Sequence, residues 1–259
     1  MKLSIANLKR DGFVLASLVS KDFKLKYRRS ALGVLWSVLN PLLMMVVMSV
    51  VFTNVFRWGN IEHYPLYLIL GLILFNFMTN ATSSAMTSII GAASLIKKIR
   101  INKMVFPLEK VIFELVNFAI SLVAVALVMI YFQVFPTFNI LLLPLLLVYV
   151  IIFCTGLGLL LSALSVFFRD VIHLWSVIIT AWTYATPIFY PLELLTEEIQ
   201  QLMLFNPMYH YVTYFREIAL WGQTPGITEN LICFGMAAIT LLIGAIVFVK
   251  AQKKFILYV

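Results

Sequence analysis

Six stretches of this chain are long and apolar enough to cross a lipid bilayer, and they constrain its fold more than any other feature. A membrane-crossing helix needs about 20 mainly apolar residues. The six stretches are Val34–Phe56, Tyr64–Met86, Ile112–Phe135, Ile140–Phe167, Ile172–Phe189 and Leu231–Lys250. The fifth is short and ends in TPIFYP, whose two prolines interrupt a helix. The pattern predicts an all-α polytopic membrane protein with a six-span bundle over residues 34–250, in a single domain covering residues 1–259.

The overall composition is that of a chain surrounded by lipid. Of its 259 residues, 63% are hydrophobic and 12% are charged, whereas a soluble domain is about half apolar and about a quarter charged. Residues 1–30 are too charged for a signal peptide, so the first apolar stretch is expected to stay in the mature protein. The two cysteines, Cys154 and Cys233, lie in apolar stretches without the spacing of metal ligands.

The distribution of Lys and Arg predicts how the spans are oriented. Basic residues concentrate in cytoplasmic loops. With six spans, every Lys and Arg except Arg57 and Arg216 falls on one side of the membrane, which also holds both termini. We therefore expect both termini in the cytoplasm. The formal net charge of +8 is then explained by membrane topology, and no nucleic-acid motif accompanies it.

Two cytoplasmic elements flank the first two spans. Residues 1–30 are predicted to form an amphipathic interface helix on the membrane surface, centred on Ile5 to Tyr27. This helix is either a plain anchor or an anchor that also contacts a partner. Residues 94–106 mix lysines with apolar side chains such as Ile96 and Met104. We interpret this coupling segment as a docking element, since exposed apolar groups need a cover; a solvated basic loop is the alternative.

The segment before the last span is too apolar for a free loop and too short for two more spans. Residues 192–222 are predicted to form two short helices, the outer gate helices, which dip into the outer leaflet. Thr196 is expected to cap the first helix. Asn206-Pro207 separates the two, and the second ends near Gly222. Arg216 and Glu217 are expected to face water, lipid headgroups or each other.

Polar side chains recur at helical spacing inside several spans, where they are costly unless they face protein or water. One interpretation is hydrogen bonding between helices. The other is a translocation path of small polar groups and aromatic rings, a surface that suits sugars. The predicted wall residues of that path are Trp36, Asn40, Asn76, Asn80, Trp175, Thr180, Trp182 and Tyr184.

The sequence lacks the signatures of an energy source or a catalytic centre. It contains no G-x-x-x-x-G-K-[ST] phosphate loop and no metal-ligand cluster, and its three histidines are isolated. A membrane-embedded glycosyl transferase would need converging carboxylates, and the acidic cluster Glu193, Glu197 and Glu198 is explained by a solvated helix start. We predict no catalytic residue, metal or cofactor in this chain, and energy supplied by another chain.

Four ordered motifs resemble those of the polysaccharide-export permeases of the type-2 ATP-binding-cassette family. RRSALGVLWSVLNPLL, residues 28–43, is similar to the R-x-x-x-L-G-x-L-W-x-x-x-x-P signature that opens their first span. SVFFRDV resembles the F-R-D turn between spans four and five, and TPIFYP and FNPMYHYVTYFREIAL resemble the P-I-F-Y-P and N-P…F-R elements. In the first motif, Gly33 is expected to permit close helix approach, and Pro41 to kink span one.

This resemblance implies partners, a substrate and site residues. It implies a homodimer in the bacterial cytoplasmic membrane, bound to two ATPase subunits that hold ATP and Mg, and exporting lipid-linked O-antigen, teichoic acid or capsule-type glycan. The O-antigen type is the most similar; export of a drug or small lipid is the alternative. The implied coupling residues are Arg28, Arg29, Lys97, Lys98, Arg100, Lys103, Arg169 and Asp170. The implied outer-gate residues are Pro187, Tyr190, Asn206, Pro207, Tyr214 and Arg216.

Overall fold

A computed structural model of the chain describes residues 5–28, 32–54, 61, 63–98 and 101–258, with side chains from Arg10 onward. Its regular elements in these ranges are helical. The α-helices are α1 (Ile5–Tyr27), α2 (Trp36–Asn54), α3 (Tyr64–Gly91), α4 (Ala93–Lys98), α5 (Val105–Tyr131), α6 (Leu143–Phe167), α7 (Val171–Ala185), α8 (Glu197–Met203), α9 (Pro207–Arg216), α10 (Ile227–Ala251) and α11 (Phe255–Tyr258). Short 3-10 turns precede α2, α6 and α8, and a π-helical turn, Glu217–Trp221, extends α9.

In the described part of the chain, five helical segments are long and apolar enough to cross a membrane, which confirms an all-helical membrane protein. They are Gly33–Asn54, Tyr64–Gly91, Val105–Tyr131, Phe138–Phe167 and Ile227–Ala251. The predicted fifth span is the shorter helix α7 of 15 residues, which measures about 22 Å at 1.5 Å per residue. This is less than the roughly 30 Å of a bilayer core, so the count of six spans stays a prediction.

Helix α3 is the central element of the bundle. It packs against α2, α5, α6, α7 and α9, and its side chains at Leu66, Leu68, Ile69 and Leu70 are completely buried. A helix that is apolar on every side belongs in a core. Helices α2, α7 and α10 lie outside it and expose much of their apolar surface.

Helices α6 and α10 approach each other closely through two glycines. A Cβ atom added to Gly244 would lie 2.0 Å from the carbonyl oxygen of Gly156. One added to Gly156 would lie 2.5 Å from the backbone nitrogen of Leu241. Membrane helices associate through small residues that let backbones approach, so this crossing depends on the absence of side chains at both positions.

Several helix boundaries differ from the predicted ones. Helix α5 begins at Val105, seven residues before the predicted start at Ile112, because hydropathy marks the apolar stretch rather than the helix. The polar first turns of α5 are stabilised instead by an ion pair with α1, described below. A helix covers Ile5–Tyr27 as expected; its position at the membrane surface stays a prediction.

Two local expectations were wrong. A Cβ at Gly33 would meet nothing within 4 Å, so close helix approach does not require a glycine at this position. The backbone conformation does require one, because its φ of +46° lies in the left-handed region that favours glycine. Thr196 precedes α8 but makes no side-chain capping hydrogen bond. The side chain of Asn206 caps α9 instead, its Oδ1 accepting from the backbone nitrogen of Met208 at 3.1 Å.

Candidate functional site

A polar pocket of 490 Å³ lies where α1, α2, α3 and α5 meet. Four predicted wall residues line it: Trp36 and Asn40 from α2, and Asn76 and Asn80 from α3. The three asparagines are exposed. The structure therefore brings together, in one subunit, the polar residues that the sequence placed on two separate helix faces.

The other predicted wall residues lie on α7, away from this pocket. Trp175 is buried beside Met86 and Leu161. Thr180 is exposed, and its hydroxyl donates to the carbonyl of Ser176 on its own helix at 2.9 Å. Tyr184 is 65% exposed. These residues form no single wall with the pocket within one subunit.

Residues from α1 and α5 complete the polar pocket, and sequence reasoning missed them. Asn117 is buried and accepts the hydroxyl of Tyr27 at 2.7 Å. The amide of Asn117 donates to Oε2 of Glu114 at 3.0 Å. The signal was present, because Glu114, Asn117 and Ser121 recur at spacings of three and four residues, which place them on one helix face. A single carboxylate in an apolar helix is a weaker signal than an array of charges, and its partner Tyr27 lies on another helix.

An ion pair holds the interface helix against α5 beside the pocket. The Lys110 ammonium contacts the Asp22 carboxylate, and also lies 3.3 Å from Oε2 of Glu109. Burial alone would raise the pKa of Asp22, but the hydrogen bond and charge of Lys110, with the charge of Lys21, outweigh it and hold that pKa below its ordinary value. At pH values above its ordinary pKa, such a carboxylate therefore stabilises the folded state.

Replacing Asp22 by asparagine is expected to destabilise the assembly of α1 on the bundle at neutral pH. We expect a loss of about 1 kcal/mol, typical of a partly exposed ion pair, and a Tm lowered by about 2–4 °C. The difference from wild type should disappear as the pH falls through the lowered pKa of Asp22, because protonation removes the same charge. Thermal unfolding in nanodiscs across pH measures this.

The matched control removes the exposed partner of the same carboxylate. Lys21 lies 3.4 Å from Asp22 and is 60% exposed, against 27% for Lys110. Lys21→Met should therefore lower Tm less than Asp22→Asn. Parallel pH profiles for Asp22→Asn and wild type would show that this pair does not stabilise the fold.

The coupling segment presents two of its implied residues to the surface and uses a third internally. Lys97 and Lys98 are exposed at the end of α4, whereas Ile96 is buried. Lys103 donates to the carbonyl of Gln252 at 2.6 Å, and burial lowers its pKa. It thus joins this segment to the C-terminal end of α10.

The structure describes three of the other five implied coupling residues. Arg169 and Asp170 are exposed in the turn between α6 and α7, and Arg28 is exposed after α1. Arg29 and Arg100 lie outside the described residues.

Arg216 is buried, and the expectation that it faces water, headgroups or Glu217 was wrong. Its guanidinium donates to the carbonyls of Tyr67 at 3.2 Å, Pro187 at 2.9 Å and Ile188 at 3.0 Å. It also lies 3.4 Å from the centroid of the Tyr67 ring. The physical reason is the TPIFYP segment, Thr186–Pro191: it is not helical, so its carbonyls need donors, and arginine supplies them in a planar fork.

Asn206 connects the same segment to α7 and α9. Its Oδ1 accepts from Nε1 of Trp182 at 2.8 Å, and its amide donates to the Thr186 hydroxyl at 3.0 Å. Pro207 follows as the first residue of α9, a position where its missing N–H costs nothing. The predicted wall residue Trp182 is therefore a bonded partner of the outer gate.

Two tyrosines complete this cluster. The Tyr190 hydroxyl donates to the carbonyl of Tyr184 at 2.7 Å. The Tyr214 hydroxyl donates to Oδ1 of Asn230 at 3.1 Å, joining α9 to α10. Of the six implied outer-gate residues, Pro187 and Tyr190 belong to the TPIFYP segment, and Asn206 and Arg216 are hydrogen-bonded to it. Pro207 begins α9, and Tyr214 joins that helix to α10. Among the described residues there is no group of three His, Cys, Asp or Glu able to hold a metal.

Comparisons with known proteins agree on one family. The profile of the ABC-2 type transporter family matches residues 14–220. The O-antigen export system permease protein RfbA of Myxococcus xanthus is 30% identical over 93% of this chain and 94% of its own length. RfbA of Klebsiella pneumoniae is 28% identical over 93% of both chains, and the capsule polysaccharide export inner-membrane protein CtrC of Neisseria meningitidis is 27% identical over 93% of this chain and 91% of its own. The chain therefore belongs to the ABC-2 type transporter family.

Proposed function

We propose that this chain is the permease subunit of an ATP-driven exporter that moves lipid-linked polysaccharide, of the O-antigen type, across the bacterial inner membrane. The observation that carries the proposal is the similarity along 93% of the chain to an O-antigen export permease. A pocket rich in carboxamides, between the interface helix and three helices long enough to span a membrane, agrees with a substrate that carries many hydroxyl groups. The similarity to CtrC favours capsule polysaccharide as the second candidate cargo.

ATP is hydrolysed by a separate ATPase subunit, which binds the nucleotide and Mg. The partner docks on the cytoplasmic side, against the interface helix and the coupling segment. Two exposed features support this placement: the cations Lys97 and Lys98, and the turn at Arg169 and Asp170. In six-span topology, all four lie on the same side as both termini.

Two copies of the chain form the translocation path between them. Helix α7 exposes Ser176 and Thr180, together with the apolar side chains of Leu174 and Val177. Polar groups on a surface facing acyl chains are unfavourable unless protein or water covers them. A second copy, with a polar path along the two-fold axis, covers them and explains how a six-span subunit surrounds a wide polymer.

The decisive experiment removes the chain from its native cell. Cells lacking it should make the glycan but accumulate it inside, with surface glycan lost, and the wild-type chain should restore display only with an ATPase partner able to hydrolyse ATP. Immunodetection on intact and permeabilised cells measures both pools. Undiminished surface glycan in the deleted strain would refute the proposal.

A further inference from the structure

We propose that the polar pocket binds a neutral sugar ring of the lipid-linked glycan, with Asn76, Asn80 and Glu114 as its hydrogen-bonding groups. The inference deepens the proposed export function and depends on it. It assigns Glu114, Asn117 and Tyr27 to a binding site, which the family resemblance did not.

Unused hydrogen-bonding capacity is the first observation. The side chains of Asn40, Asn76 and Asn80 line the pocket and are exposed. None of them makes a hydrogen bond within the part of the chain that the structure describes. Each carboxamide offers two donors and an acceptor, and hydrocarbon cannot satisfy them. The pocket therefore needs a polar occupant with many hydroxyl groups, or water.

The second observation is a set of polar side chains already held in place. Glu114 is 7% exposed, and one of its carboxylate oxygens accepts from Asn117. Asn117 is held in turn by the Tyr27 hydroxyl, which lies 2.6 Å from the Ser37 hydroxyl. This chain of hydrogen bonds fixes the carboxylate of Glu114 at the pocket wall before any ligand arrives. Groups fixed in advance lose less conformational entropy on binding.

Aromatic side chains supply the apolar part of the site. Phe77 and Phe118 line the pocket, and Trp36 lines it with 49% of its surface exposed. A sugar ring has an apolar face of C–H groups and a rim of hydroxyls, so it matches rings beside carboxamides. The volume of 490 Å³ falls within the range of about 300–1,000 Å³ typical of small-ligand pockets.

The charges favour a sugar over the phosphate groups of the lipid carrier. Of the described residues that line the pocket, Lys26 and Glu114 are the ionisable side chains of opposite charge, and Lys26 is exposed. Sites for phosphate use arginine forks, lysines or helix N-termini. Here Lys26 acts electrostatically on Glu114, so the two side chains together offer little net positive charge to an anion, and the Glu114 oxygens can accept hydrogen bonds from hydroxyls. The occupant that fits is therefore uncharged.

Export by paired variants tests the inference. The double variant Asn76→Leu/Asn80→Leu removes two carboxamides and keeps the number and branching of the side-chain heavy atoms. Loss of two ligand hydrogen bonds should lower the export rate about tenfold to a hundredfold, while the amount of assembled complex stays unchanged. The control Asn54→Leu removes an exposed carboxamide at the far end of α2, whose amide donates to its own helix at Val50, and should export at the wild-type rate.

A labelling experiment reads occupancy directly. Asn40→Cys places a thiol at the pocket wall and leaves Asn76, Asn80 and Glu114 in place. The native Cys154 and Cys233 are buried, so they give little background. The labelling is done in membranes that contain an inactive ATPase partner. Maleimide should label this thiol several-fold more slowly in membranes from cells that synthesise the glycan than in membranes from cells that do not.

Each outcome decides between the inference and the export function. Lost display in the deleted strain that wild type restores, with normal export by the double variant, overturns the sugar site alone. Equal labelling rates with and without glycan, in an Asn40→Cys chain that exports with an active partner, also overturn it. Failure of wild type to affect display overturns the export function as well.

Discussion

Replacing Gly244 by alanine is expected to abolish export by preventing stable packing of α10 on α6. The added Cβ would lie 2.0 Å from the carbonyl oxygen of Gly156 and 2.8 Å from its carbon. Both atoms belong to backbone, so no side chain can rotate away, and the two helices must separate along their contact. Overpacking typically costs about 1–3 kcal/mol, and we expect the upper end or more here. Detergent-extracted complex should decrease about tenfold, with a lower Tm.

Gly235 provides the matched control on the same helix. A Cβ there meets nothing within 4 Å, and alanine is a better helix former than glycine by about 1 kcal/mol. Gly235→Ala should therefore keep or slightly raise Tm and leave export unchanged. If Gly244→Ala and Gly235→Ala assembled equally well, close approach of α6 and α10 would not be required for the fold.

Most of the long helices were predictable from the sequence because a long run of high hydropathy indicates a segment surrounded by lipid or by other apolar helices. Hence α2, α3, α6 and α10 lie close to the predicted stretches. The start of α5 was not predictable in this way, since its first turns contain Glu109 and Lys110, and their stabilising contact with Asp22 is 88 residues distant in sequence. Hydropathy also cannot show that α3 occupies the centre, because lipid and protein interior are equally apolar.

The residues of the candidate site were also predictable only where the signal is local in the sequence. Asn76 and Asn80 were identified because polar residues at helical spacing stand out in an apolar helix. Glu114 is equally conspicuous on α5, but Tyr27, which holds its partner Asn117, lies on another helix, and only the fold joins them. Arg216 shows the opposite error: an arginine on the extracellular side of the predicted topology was expected at a wet surface, whereas three backbone carbonyls enclose it.

Replacing Arg216 by methionine is expected to release the TPIFYP segment from α3 and α9. Methionine keeps an unbranched side chain but removes the donors to the carbonyls of Tyr67, Pro187 and Ile188. Each buried carbonyl left without a donor costs about 1–3 kcal/mol, and the ring of Tyr67 loses its cation contact. We expect a destabilisation of about 3–5 kcal/mol, measured by thermal unfolding in nanodiscs.

Arg216→Lys separates charge from geometry. Lysine keeps the cation but presents a single ammonium, which cannot reach three carbonyls as the planar guanidinium does. Its Tm should lie between those of wild type and Arg216→Met, while the exposed Lys253→Met control should unfold as wild type does. Because the predicted topology places the outer gate and the coupling segment on opposite sides of the membrane, assembled Arg216→Lys complex should hydrolyse ATP at the wild-type rate yet export glycan several-fold more slowly. Wild-type export by Arg216→Met would mean that the TPIFYP segment keeps its position without these hydrogen bonds, and that the gate depends instead on Asn206 and its bonds to Trp182 and Thr186.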